Sequence, residues 1–330
     1  MKVFVLCIDD NQPHGGIRKL YHHVDLLNQH GIGAEIVHEK KGFRCTWFEN
    51  RTPVSYAHDN RSTLPGEQNV LVVPEIYGPH ISQFGPAIPK VIFNQNCYYT
   101  FMQYSMDKND LNTPYLSRDV VGAITVSKDS MEYLKAVFPA LNVHRLHYGI
   151  DESLFHYSDR KRRKIAFMPR KNEHDLLQVI NILKFRGLLA DWDLVPIENK
   201  NEKQVAELLQ EAMLFLSFGH PEGFGLPPAE AMACGAVVVG YHGMGGREFF
   251  LPEFSYPITN GDIIIFARTV EHVIQLQASN PDEIRNKGRK ASEFILKTYT
   301  RSREESDILS FWKSISELLG TRTLSQSKRV

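Results

Sequence analysis

The strongest constraint on the fold lies between residues 213 and 235. Met213-Leu-Phe-Leu-Ser-Phe218 is an apolar run of strand length, as a strand buried on both faces of a parallel sheet must be. The glycine-rich turn His220-Pro221-Glu222-Gly223-Phe224-Gly225-Leu226 follows, and then Pro227-Pro228-Ala229-Glu230-Ala231-Met232-Ala233-Cys234-Gly235. Pro228 suits the first position of a helix, where its missing N–H is no loss, and Gly235 suits the left-handed residue that ends one. Strand, glycine turn and helix start in succession point several backbone N–H groups at one place, and the helix dipole adds positive potential there. That arrangement is an anion site. Glu222 and Glu230 stand on either side of it with seven residues between them. Carboxylates would repel a phosphate they touched, so their fitting partners are hydroxyls. A ligand with phosphates in the middle and hydroxyls at both ends is a nucleotide sugar.

The first half of the chain repeats the same alternation. Val3 to Ile8 is a short apolar run, followed by a polar loop that ends in Gly15-Gly16. Apolar residues at Ile17, Leu20, Tyr21, Val24 and Leu27 then mark one face of a helix, and Ala34 to Val37 starts the next strand. The glycine pair is by itself no more than any tight strand-to-helix turn uses. Further strands are expected at Val70–Val73, Val91–Phe93 and Ala123–Val126, each running into a polar or proline-containing loop. Ligands of open α/β sheets bind beyond the carboxyl ends of the strands, so these loops should line one crevice. The aromatic run Tyr98 to Tyr104 reads equally as an acceptor surface or as packing over the sheet.

A length of 330 residues is long for a single core and implies two domains. Lysine and arginine together number 38, as do aspartate and glutamate, so no global basic field points to nucleic acid. Cys7, Cys45, Cys97 and Cys234 lie far apart and read as buried thiols of a reducing compartment. The N-terminal apolar run is too short for a signal peptide, and no run approaches a membrane span, so a soluble, cytoplasmic protein is expected.

In the middle of the chain, Ser158 to Lys164 carries five basic residues ahead of the strand Ile165–Met168 and reads as a solvated linker. Asp191-Trp192-Asp193 has a spacing that could serve a divalent cation. It leads straight into a strand with no companion ligand, so a solvated turn is expected. A strand over Ala236–Val239 precedes a glycine-rich loop. At the end of the chain, Ile308, Trp312, Ile315 and Leu319 form one helical face, with Gly320 as its cap.

The segment PEGFGLPPAEAMACG, with Glu222-x7-Glu230 at its centre, resembles the donor-binding motif of retaining glycosyltransferases of the GT-B fold, family 4. The resemblance implies an α/β architecture of two Rossmann-like doubly wound domains facing each other across a cleft. Residues 1–155 would form the acceptor-side domain, 156–305 the donor domain, and 306–330 a helix packing back toward the first domain. Glu222 would face the donor sugar and Glu230 hold the ribose hydroxyls. Gly15, Gly16, His220, Gly223, Phe224, Gly225 and Leu226 would complete the donor side. Arg170 matches the arginine that relatives place on the diphosphate. Their lysine five residues later is Asp175 here, and Lys171 is its expected substitute. A histidine that many relatives carry near the donor sugar is also absent. The segment where it would align carries Asn94 and Asn96 instead, and His80 in a neighbouring loop reads either as its replacement or, more readily, as a surface histidine; these three are the expected acceptor-side residues.

The implied reaction moves a sugar from a nucleoside diphosphate to a hydroxyl of a glycan, glycolipid or small molecule, with retention. No metal or other cofactor is expected, and no nucleic acid partner. A peripheral membrane contact is compatible with a lipid-borne acceptor. Glu222 and Glu230 sit at opposite ends of the donor, so they do not form the nucleophile and acid/base pair of a retaining glycosidase. Front-face departure of the diphosphate fits better, with Glu222, Arg170 and Lys171 as the catalytic group. The alternatives are a non-catalytic nucleotide-sugar-binding subunit and another GT-B enzyme, such as a phosphorylase or an epimerase.

Overall fold

The computed structural model describes residues 1–57, 69–86, 88–106 and 112–327. The chain divides into two compact units. One comprises Met1–His147 together with the segment from Glu304 onward; the other is Tyr148–Arg303.

The first unit alternates strand and helix: β1 (Lys2–Leu6), α1 (Gly15–Gln29), β2 (Ala34–His38), β3 (Val54–Tyr56) and β4 (Asn69–Pro74). A 3₁₀ stretch over Glu75–Gln83 leads to β5 (Lys90–Asn94), and 3₁₀ turns at Cys97–Tyr99 and Pro114–Leu116 precede β6 (Val120–Thr125). Then come α2 (Lys128–Val137) and β7 (Val143–Arg145). The seven strands form one parallel sheet in the order β3-β2-β1-β4-β5-β6-β7. The order reverses between β1 and β4, which makes the loops after those two strands the ligand-binding position of a doubly wound sheet. The expected strands are all present. The edge strands β3 and β7, three residues each, are additions.

The second unit runs β8 (Arg162–Phe167), α3 (Glu173–Phe185), β9 (Asp193–Pro196), α4 (Glu202–Glu211), β10 (Ala212–Glu222) and α5 (Leu226–Ala233). It continues with β11 (Val237–Met244), a 3₁₀ turn at Gly245–Glu248, β12 (Tyr256–Pro257), α6 (Ile263–Ser279) and α7 (Pro281–Thr298). Its five strands are parallel in the order β12-β11-β10-β8-β9, and the reversal falls between β8 and β10. Strand β8 begins inside the basic run. Arg162 and Lys164 pair with Glu211, and Arg163 pairs with Asp191, so the run is partly neutralised rather than a free linker.

The last helix, α8 (Arg301–Ser327), carries the chain back to the first unit. Ile308, Trp312, Ile315 and Leu319 are buried as the sequence pattern requires, and Phe311 joins them. Trp312 Nε1 donates to His23 Nε2 of α1 at 2.8 Å, and Lys19 pairs with Glu304 at 2.9 Å. Gly320 does not cap this helix. Nothing lies within 4 Å of a side chain placed there, and the helix continues seven residues further, to Ser327. Among the described residues no helix is long and apolar enough to cross a membrane.

Candidate functional site

The loops at the switch point of the second sheet are Pro169–Asn172, after β8, and Gly223–Gly225, after β10. Strand β10 runs further than its apolar core, through His220 and Pro221 to Glu222. The register with β11 shifts between Gly219 and Glu222, so the ladder resumes only where Glu222 opposes Met244. The shift leaves Pro221 outside the ladder, where its missing N–H costs nothing. Helix α5 starts at Leu226, two residues before the expected position. Gly225 provides its entry at φ 94° and ψ 62°, and Pro227 takes the second helical position. The C-terminal end is as expected. Gly235 N–H bonds to Met232 O at 2.8 Å and Ala236 N–H to Ala231 O at 3.0 Å, with Gly235 at φ +81°, a Schellman cap.

Glu222 is the centre of this region. One carboxylate oxygen pairs with Lys171 Nζ, and the two side chains are each 17% exposed. The other oxygen lies among glycines. A Cβ on Gly219 would stand 3.1 Å from it, one on Gly243 3.0 Å and one on Gly225 3.6 Å. Any side chain at Gly243 would displace the carboxylate, so these glycines are spaces kept open for it. Lys171 and Glu222 were expected to act on different parts of a ligand. Here they neutralise each other across 51 residues of sequence.

Asn172 holds the loop that presents Lys171. Its backbone is left-handed, at φ 44° and ψ 47°, and its Nδ2 donates to Phe218 O at 2.9 Å and Gly219 O at 3.2 Å. No local sequence pattern marks this clamp, although an asparagine at a helix start tolerates that conformation. Arg170 is exposed beside it. Asp175 accepts a 2.8 Å bond from the hydroxyl of Tyr241, a buried residue of β11. Burial and the neighbouring carboxylate push that phenol well above its usual range.

Phe224 is buried against Tyr148, Phe249 and Tyr299. Its side chain therefore anchors the turn, and only its backbone can face a ligand. Gly223 is buried, while His220, Leu226 and Glu230 are half-buried. Met244 stands opposite Glu222 with φ 65° and ψ −62°, a conformation that costs a bulky residue about 1–3 kcal/mol. Its N–H bonds to His242 Nδ1 at 2.9 Å, and Arg247 reaches its sulfur at 3.3 Å.

In the first unit Gly15 and Gly16 open α1, whose N-cap His14 makes no side-chain cap bond. Gln95 Nε2 donates to Gly16 O at 3.3 Å, joining that helix start to the loop after β5. The three acceptor-side residues have different environments. His80 is exposed. Asn96 caps the 3₁₀ turn by accepting from Tyr98 N at 3.1 Å. Asn94 is fully buried and donates to Tyr115 OH at 2.7 Å and Thr100 Oγ1 at 3.1 Å. Glu75, the residue after β4, belongs by sequence to a polar loop. It is 3% exposed, and burial pushes its carboxyl up to about 7. Asp191 is exposed, and no three metal-binding side chains gather among the described residues.

Residues 172–291 match the family model described as Glycosyl transferases group 1. An alpha-1,6-glucosyltransferase of Actinobacillus pleuropneumoniae serotype 7 (strain AP76) is 27% identical over 216 residues, which span 62% of this chain and 62% of that protein. Among solved structures, HepE of Anabaena in complex with UDP and glucose superposes with a TM-score of 0.69 at 14% identity, over 95% of this chain and all of that one. Sucrose-phosphate synthase from Thermosynechococcus elongatus gives 0.67 at 13% identity, over 97% and 99% of the two chains. The structural likeness fixes the fold as α/β of the GT-B type, built on two parallel sheets.

Proposed function

We propose that this protein is a retaining glycosyltransferase, which moves a hexose from a nucleoside-diphosphate sugar to an acceptor hydroxyl without a metal ion. The observation that carries the reading is the setting of Glu222. It lies at the switch point of the second sheet, ringed by glycines, between Lys171 and the start of α5. UDP-glucose is the first donor to try, because a UDP complex and a glucosyltransferase stand among the similar proteins.

In this reading the diphosphate lies over the amides around Gly223–Gly225 and the entrance to α5, where the helix dipole favours negative charge. Arg170 and Lys171 face the phosphates. Lys171 exchanges its bond to Glu222 for one to the leaving phosphate, which frees Glu222 to orient the sugar hydroxyls. Glu230 holds the ribose. As the sugar–phosphate bond breaks, negative charge grows on the diphosphate, and these two cations and the amides stabilise it. The acceptor hydroxyl enters on the face the phosphate leaves and passes its proton to that phosphate. An alpha-configured donor then gives an alpha-linked product.

Thermal unfolding with UDP, GDP, dTDP and ADP in excess chelator tests the donor site. A nucleotide at about a hundred times its Kd adds about 2.7 kcal/mol to the folded state. Stabilisation by one nucleotide without metal supports the reading, and proton NMR of the anomeric centre of the product decides retention. If no nucleotide stabilises the protein with or without a divalent ion, the reading falls. The Tyr241–Asp175 bond, which fixes a carboxylate where relatives place a cation, favours a second reading as a non-catalytic nucleotide-sugar-binding subunit. Binding without transfer to any acceptor would select it.

A further inference from the structure

Residues 243–245, where β11 passes into the 3₁₀ turn, meet Glu222 from two directions. Gly243 stands against its side chain, where a Cβ would lie 3.0 Å from both Cγ and Oε1. Gly245 stands against its backbone, where a Cβ would lie 2.6 Å from Glu222 O and 2.1 Å from Gly223 O. Met244, between them, is opposite Glu222 in the ladder. At such distances the turn cannot change shape without moving the Glu222 carboxylate.

Three glycines lie within residues 243–246, and Met244 is the exception. Its φ of 65° and ψ of −62° are those of the strained form of γ-turn, which glycine would enter more easily. Such a conformation persists only where the surroundings hold it. Here the ladder fixes its place, Arg247 reaches its sulfur at 3.3 Å, and its N–H donates to His242 Nδ1 at 2.9 Å. The sense of that last bond has one solution. A backbone N–H only donates, so Nδ1 offers its lone pair and the ring proton is on Nε2. Turning the ring over would set a C–H against the N–H, so no reversed ring replaces the bond. Phe250 packs edge to face on the same ring, with centroids 6.4 Å apart.

We propose that His242 is a positioning residue for the donor sugar: it holds the strained turn at Met244, and the turn holds the Glu222 carboxylate. The ligand in this assignment comes from the transferase reading, in which Glu222 orients the sugar hydroxyls. Without the bond Met244 relaxes, and Gly243 and Gly245 shift against Glu222. In the same reading Arg170 and Glu230 hold the diphosphate and the ribose, so the loss falls on the sugar rather than on the nucleotide. A change that only loosened this unit would weaken both alike.

The test compares His242→Ala with His242→Asn in the full chain. Asparagine carries Oδ1 where histidine carries Nδ1, and its side chain commonly accepts a backbone N–H two residues on. Alanine has no acceptor. Exchange of the Met244 amide, followed by NMR, should quicken about tenfold or more in His242→Ala and stay near wild type in His242→Asn. Calorimetric titration should show UDP-glucose binding weakened about tenfold in His242→Ala, with UDP binding changed less than about twofold. His242→Asn should bind both as wild type does. Unchanged Met244 exchange in His242→Ala, or equal losses for UDP and UDP-glucose, would overturn the proposal, as would an asparagine variant no better than alanine. If His242→Ala does not fold, His242→Gln replaces it, with its oxygen one bond too far along for the Met244 N–H. The same two losses are then expected, and their absence counts against the proposal. A wild type that binds neither UDP nor UDP-glucose would remove the reading that supplies the sugar. The exchange comparison would then decide by itself whether His242 holds the turn.

Discussion

At the residue scale, two buried titratable groups give opposite pH dependences. Glu75 has a folded value near 7 against an ordinary 4.5, and His23 one near 3 against 6.5. A carboxyl raised by folding contributes stability that is complete below about pH 4.5 and lost as pH rises to about 7. The shift corresponds to about 3 kcal/mol. A histidine lowered by folding does the reverse, with stability lost as pH falls from about 6.5 toward 3. Urea denaturation of Glu75→Gln should therefore show a flatter loss of stability between about pH 4.5 and 7 than wild type. Parallel curves would mean that Glu75 does not keep its proton in the folded state. In the proposed mechanism Arg170 and Lys171 act on rate instead. Arg170 is exposed, so Arg170→Ala should leave stability nearly unchanged. Its turnover should fall by about 10²–10³, the scale of one lost preorganised charge-stabilising group. Turnover near wild type would take Arg170 out of the mechanism.

At the scale of elements, the glycines beside Glu222 separate backbone strain from steric loss. Gly243 has φ +60°, and a Cβ there would stand 2.9 Å from His220 O and 3.0 Å from Glu222 Oε1. Gly261 has φ +80° with nothing within 4 Å. Gly261→Ala should cost about 1 kcal/mol and keep nucleotide binding. Gly243→Ala should cost more and weaken donor binding by about tenfold or more, because Glu222 must move. Calorimetric titration of both variants checks the contrast, and equal affinities would show that the position of Glu222 does not govern binding. The same glycines mark where the sequence was legible and where it was not. Buried parallel strands, the Gly235 cap and the apolar face from Ile308 to Leu319 follow from composition and spacing, and the sequence shows them directly. Gly240 and Gly243 read as loop, yet they lie inside β11 because that strand passes too close to β10 for side chains. The edge strands β3 and β7 are too short to leave a periodic signal. The donor motif itself was readable as strand, turn and helix. The Lys171–Glu222 pair and the Asn172 clamp depend on which strands adjoin, and no local pattern encodes that.

At the scale of the molecule, the first unit is built from both ends of the chain, whereas the second is continuous from Tyr148 to Arg303. The first sheet is covered by a helix that arrives only after the second unit has been traversed, so its core closes by a long-range contact. Trp312 is the largest fully buried side chain there, and its indole N–H is the partner of His23 Nε2. Trp312→Ala removes that ring and leaves a buried nitrogen without its donor, a loss of about 3–5 kcal/mol. The residues proposed to hold the donor, Arg170, Lys171, Glu222 and Glu230, all belong to the other unit. Calorimetry should therefore resolve two transitions, each moved by one perturbation. Trp312→Ala should lower the transition of the first unit, and the stabilising nucleotide should raise that of the second, in wild type and variant alike. One cooperative transition moved by both would mean that the two units unfold together. Their stabilities would then be linked, and the helix that closes the first core would also support the donor site in the second.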